Sequence, residues 1–335
     1  SPVASITTLA RTALRPSSFG KDYFTIVGQI TLIAILIFRI PLGYMIGDKG
    51  MAYFGTANEI LAVLAGTVAY GFSEAAAVQI RYRMKRGQVK SAGRILRGAL
   101  LEGGAIGLLL SLLLIFTGYG LAEKVMHLGP AGMAIVWMAP AVFFSILTGI
   151  FRGYFQGNGS KRATMHSKVL YILFLYLGGL TGAAALHGYG RKVAALLQNE
   201  DFAGAYGAIG ASIGLVSASF FGFLHMLVLY LIFKRNLKKQ AEREQSRNQE
   251  TLLGALKVLS GTGILYALYW FSFHALTLLD QILFFSAGTR APIDEGMAPE
   301  EYMGQLTLQW GAYYGKSAVV IGIVGGFIGM ACLLP

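Results

Sequence analysis

Apolar runs of bilayer-spanning length, set apart by short polar or basic segments, constrain this chain more than any motif does. The clearest is Tyr23 to Ile46, YFTIVGQITLIAILIFRIPLGYMI. At about 1.5 Å per residue, about 24 residues cross a hydrocarbon core of roughly 30 Å. The whole chain has the same character: 55% hydrophobic residues and only 13% charged, where a soluble domain carries about 25% charged. The mean hydropathy of +0.59 agrees. The expected fold class is an all-α polytopic membrane protein. Eight helices are expected, at about 22–46, 54–80, 95–119, 130–152, 163–186, 203–233, 253–286 and 307–334. The seventh is read as interrupted by Gly261 and Gly263, and Gly47-Asp48-Lys49-Gly50 as a turn.

The net charge of +12 suggests nucleic acid until the placement of the basic residues is considered. Of 28 basic residues, 21 fall in the N-terminal tail, the 81–97 stretch, the segment from Arg152 to Lys168 and the linker region from Lys234 to Lys257. Those segments alternate with sparsely charged connections. This is the positive-inside pattern, with no nucleic-acid partner needed. It puts the N-terminus in the cytoplasm and makes the protein a multi-pass resident of the cytoplasmic membrane. Residues 1–21, rich in Ser, Thr, Ala and Pro, are then a cytoplasmic lead-in, and membrane lipids are partners of the basic loops.

Several chemistries are excluded. The single cysteine, Cys332, rules out an internal disulfide. No His/Cys/Asp cluster has metal-ligand spacing, and neither a P-loop nor a nucleophile–base pair is present. No cofactor is expected, and with no ATP site any work the protein does draws on an ion gradient or the membrane potential. The N-terminus has no cleavable signal pattern. The chain begins without Met and stops at Pro335 after an apolar run, so it reads as a fragment.

Within the first apolar run the one charge is Arg39, followed by Pro41 and Gly43. A cation in a spanning helix costs roughly 2.5–3.5 kcal/mol on insertion scales, so it usually faces water or protein. Two readings stay open for Arg39: a snorkelling anchor near the outer interface, or a cation on a hydrated anion path. Gly103-Gly104-x-x-Gly107 and Ala208-Ile209-Gly210-Ala211-x-x-Gly214 read as surfaces for close helix packing. Glu59 reads as facing interfacial water at the start of helix two. His274 reads as a packed interior residue.

Five stretches, in order, resemble one superfamily. Arg39-Ile-Pro-Leu-Gly followed by Ile46-Gly-Asp-Lys-Gly-Met51-Ala-Tyr53 resembles the first-helix region of stage V sporulation protein B-type transporters. Ala139-Pro140-Ala-Val-Phe-Phe144 with Arg152-Gly-Tyr-Phe-Gln-Gly157 resembles their fourth helix, and Tyr206-Gly-Ala-Ile-Gly-Ala211 their sixth. Leu278-Leu-Asp280-Gln is similar to the seventh helix. Tyr313-Tyr-Gly-Lys316 through Leu333-Leu-Pro335 is similar to the eighth helix of MurJ lipid II flippases, with Lys316 where MurJ proteins carry an arginine. Both groups belong to the MOP (multidrug/oligosaccharidyl-lipid/polysaccharide) exporter superfamily. Two departures stand out. Ala65-Gly66 lies where MurJ proteins have a second-helix arginine, and Ser167-Lys168-Val169 lies where sporulation-type relatives usually have an acid nearby.

The resemblance implies a six-helix first lobe over 22–233 and a charged cytoplasmic linker over 234–252. Residues 253–335 are then the first two helices of a second lobe, and a central cavity lies between the lobes. It implies a flippase for a polyprenyl-diphosphate-linked glycan, such as lipid II or a polysaccharide repeat unit, with other cell-envelope synthesis proteins as partners. It implies a transporter and not an enzyme. A diphosphate needs cations in a hydrated cavity, and Arg39 and Lys316 fit that need, one from each lobe. Asp280, deep in an apolar run, is a cation site or a partner for a basic residue. The alternatives are a cation-coupled multidrug exporter, which wants acids in the first lobe, and a membrane-embedded glycosyltransferase. For the latter the acidic loop of Asp294, Glu295, Glu300 and Glu301 is the one candidate.

Overall fold

A computed structural model describes residues 21–242, 244, 251–293 and 297–331. The N-terminal lead-in up to residue 20, Cys332, and the acids Asp294 and Glu295 lie outside the described residues. Helices account for nearly everything else, and among the described residues there is no strand. That is what a hydrocarbon environment demands, because no water is present there to satisfy backbone groups left unpaired.

Seven helices are long and apolar enough to cross a membrane. The first, Lys21–Lys85, is broken at Gly47, where φ is 72° and ψ is 173°. The break is a reversal of direction: Arg39 and Glu59, which would lie about 30 Å apart along a straight helix, have side chains 3.4 Å apart. We therefore treat it as two antiparallel helices, α1 (21–46) and α2 (48–85). Next come α3 (Val89–Lys124), α4 (Ala131–Gly157), α5 (Lys161–Leu197), α6 (Asp201–Glu242), α7 (Leu252–Gly288) and α8 (Pro299–Ala331). The 47–50 turn is tighter than expected, because Gly47 alone supplies it. Its backbone lies in a region essentially restricted to glycine. A Cβ there meets no atom within 4 Å, so Gly47→Ala isolates the backbone cost. The expected loss is about 1–3 kcal/mol, read as a lower thermal unfolding midpoint in detergent. An unchanged midpoint would show that the reversal does not need this conformation.

Other boundaries also differ from the sequence reading. Helix α5 continues through the polar residues after 186 to Leu197, and α6 runs into the linker as far as Glu242. Helix α7 is continuous through Gly261 and Gly263. Helix α8 begins at Pro299 rather than 307, with Glu300 and Glu301 in its first turn. Proline suits the first helical position, and acids there face the positive end of the helix dipole. The signal was present, but hydropathy does not register it.

Helix α4 is the hub. Small residues let α2 lie flat against it: Gly149, Gly153 and Gly157 sit on Ala69, Ser73 and Ile80. Gly103 and Gly107 of α3 press on Ile150 and Phe143 of α4, and Phe144 and Phe151 of α4 meet Phe220 and Tyr230 of α6. Helices α5 and α6 approach backbone to backbone, Gly182 on Gly210 and Gly179 on Gly214.

Helices α7 and α8 pack on the α1–α2 hairpin. The Trp270 indole covers Gly66 and donates to the carbonyl of Ala62 at 3.3 Å. The space beside Gly66 is thus filled by an aromatic ring. His274 stacks on that ring at 4.0 Å, a packing role. On α8, Gly311, Gly322 and Gly326 nest against Asp48, Leu36 and Ile33. Helix α8 widens into a π turn over Tyr313–Ser317. Such single π turns often occur at functional positions.

Candidate functional site

Three helices converge on Arg39. It lies eight residues before Gly47 and Glu59 lies twelve after it, so the reversal brings them to similar depth on facing helices. The Arg39 guanidinium is 3.4 Å from Glu59 Oε1, and the two side chains are only 12% and 11% exposed. Its other partner comes from α8: the guanidinium carbon sits 3.9 Å from the centre of the Tyr314 ring. A desolvated contact of this kind contributes about 2 kcal/mol. Tyr314 is buried, and its hydroxyl accepts a hydrogen bond from Asn58 Nδ2 at 2.9 Å. Gly55 makes room for the ring, since a Cβ there would stand 2.8 Å from it. Glu59 is accordingly a buried ion-pair partner and not a group facing interfacial water. The sequence reading missed this because it takes each helix alone.

Lys316 lies two residues after Tyr314 but has a different partner. Its Nζ is 2.8 Å from the carboxylate of Asp48, at the α1–α2 reversal, and its side chain is 67% exposed. Lys49, next to Asp48, pairs with Asp201 of α6 at 2.6 Å. The reversal is thus tied on one side to α8 and on the other to α6. Beside it opens a groove of about 600 Å³, lined among others by Tyr44, Asp48, Met51, Lys316, Val320 and Ile323. Arg39 is not among the lining residues; its neighbour Ile40 is.

Asp280 is on α7 and exposed. The buried residue is its neighbour Gln281, which donates to Thr56 Oγ1 of α2 at 2.5 Å. The structure therefore places the three residues singled out from the sequence in three settings: Arg39 latched between helices, Lys316 at the groove rim, and Asp280 on the exposed side of α7. Tyr314, Asn58 and Asp48 complete the site. The Tyr-Tyr pair before Lys316 was the one available signal for Tyr314. No group of three or more metal-ligating side chains occurs among the described residues. Comparison with protein-family models and with curated proteins gives no match for this chain.

Proposed function

We propose that the chain belongs to a flippase that moves a polyprenyl-diphosphate-linked glycan, such as lipid II or a polysaccharide repeat unit, by alternating access. The observation that carries this reading is a part-buried arginine held between helices from both halves of the sequence, one residue off a groove whose rim bears an exposed lysine. The cost of a cation at membrane depth makes such a residue a functional candidate. In the described state its charge is balanced by Glu59. Movement of α8 withdraws Tyr314 and opens the guanidinium toward the groove. A diphosphate then exchanges for Glu59 on Arg39, and Lys316 leaves Asp48 for the second phosphate. Arginine supplies the planar fork and lysine the point charge. Asp280 holds a cation that substrate binding releases. The gradient or the membrane potential supplies the energy, and neighbouring cell-envelope enzymes supply and take the lipid.

The test is a proteoliposome assay with a fluorescent lipid-linked diphosphate sugar. Wild-type protein is expected to make the outer-leaflet probe accessible to the inner lumen, and Lys316→Ala to slow it. Transport that is equal with and without the protein would overturn the reading. Topology is tested separately by replacing Cys332 with serine and placing single cysteines at Gln88 and Thr289. Gln88→Cys is expected to label from the cytoplasmic side and Thr289→Cys from the opposite side. The reverse pattern would invert the assigned orientation.

A second reading, a cation-coupled exporter, draws on the buried acid Glu59 in the first lobe. It differs in one outcome: an imposed cation gradient drives efflux of a cationic dye, and Glu59→Gln stops it.

A further inference from the structure

Away from the Arg39 group, the end of α2, the start of α3, the end of α4 and the C-terminal part of α6 surround a second cavity of about 480 Å³. That lies within the roughly 300–1,000 Å³ range of small-ligand sites. Helical spacing builds its walls. Lys90, Arg94 and Arg97 recur at i, i+4 and i+7 on α3, so they share one face. Tyr230 and Lys234 recur at i and i+4 on α6 and face them across the gap. Met84 and Leu96 give the cavity an apolar side. Among the described residues four basic side chains line it and no acid does. Arg94 has a partner within the chain, whereas Lys90, Arg97 and Lys234 are exposed.

One oxyanion already sits at the rim. The Glu244 carboxylate accepts from the backbone N–H of Lys90, at the start of α3, at 2.8 Å. The cavity thus combines exposed cations, a helix end occupied by a carboxylate, and an apolar flank.

We infer that this cavity binds a phosphate group of net negative charge, with Lys90, Arg97 and Lys234 as its cations. The inference stands apart from the transport reading and uses none of its residues. Two sources share this chemistry: the headgroup of an anionic lipid in the cytoplasmic leaflet, and a soluble phosphate.

Native mass spectrometry of the full chain in detergent tests it, with phosphatidylglycerol and phosphatidylcholine as probes. Wild type is expected to retain phosphatidylglycerol preferentially. At the usual worth of a juxtamembrane basic residue, Arg97→Gln with Lys234→Gln should weaken that retention about thirtyfold. Arg97→Lys with Lys234→Arg keeps both charges and should stay within about threefold of wild type. The single changes, each expected at about fivefold, carry the test if the double variant does not fold. Inorganic phosphate separates the sources. Displacement of the lipid at millimolar phosphate assigns a soluble ligand, and no displacement assigns the lipid headgroup. Equal retention of phosphatidylglycerol by wild type and the glutamine variants would overturn the inference.

Discussion

Replacing Arg39 with alanine is expected to reduce transport of a lipid-linked diphosphate sugar at least about hundredfold, from the loss of two charge-assisted contacts at roughly 1.5–3 kcal/mol each. The difficulty is that Arg39→Ala also strands Glu59 as a buried charge, and breaking such a pair costs about 3–5 kcal/mol. A dead single variant therefore does not separate a substrate contact from a structural latch. The double variant Arg39→Ala with Glu59→Gln does. With no charge left at either position, it should regain much of the thermal stability lost by the single variant and still fail to transport. Arg39→Lys should retain part of the activity, because charge survives and the fork does not. A double variant that transports at the wild-type rate would show that Arg39 only balances Glu59, and the proposed mechanism would fall.

The largest effect on stability is expected at Gly210. A side chain there runs into the backbone of Gly182 and Ala183, and backbone, unlike a flexible side chain, has no rotamer into which it can retreat. Gly210→Val should cost about 3 kcal/mol or more, enough to separate α5 from α6. It is read as loss of a cooperative thermal transition in detergent and as new protease cleavage within 161–242. Gly188→Ala on α5 is the control. A Cβ there meets nothing within 4 Å, and helix propensity favours alanine by about 1 kcal/mol. Similar midpoints for the two variants would mean that the glycine contacts do not hold these helices together.

These two sites differ in how far the sequence disclosed them. The glycine spacing around Gly210 was legible, because a small-residue repeat reports on close packing wherever the partner helix comes from. The spanning helices were legible for a similar reason: apolar runs and basic loops report transfer free energies residue by residue. Arg39 was legible as an anomaly and not as a contact. Hydropathy assigns it the same cost whether it reaches for headgroups, faces a cavity or pairs with Glu59. Its actual setting depends on the reversal at Gly47 and on Tyr314, which is 275 residues further along the chain. Lys316 and Asp48 show the same limit. Each was visible alone, and their pairing depends on how α8 seats on the hairpin, which Gly311 governs by close approach to Asp48.

The wide turn over Tyr313–Ser317 holds one residue more than the α turn it replaces. Every position beyond it is therefore offset by about 100° from the register set by Trp310. Expelling that residue would tighten the turn and rotate the far half of α8 by one notch. Gly322 and Gly326 would then swing away from Leu36 and Ile33, and bulkier neighbours would take their places. The single wide turn is thus what aims both glycines of the far half of α8 at α1.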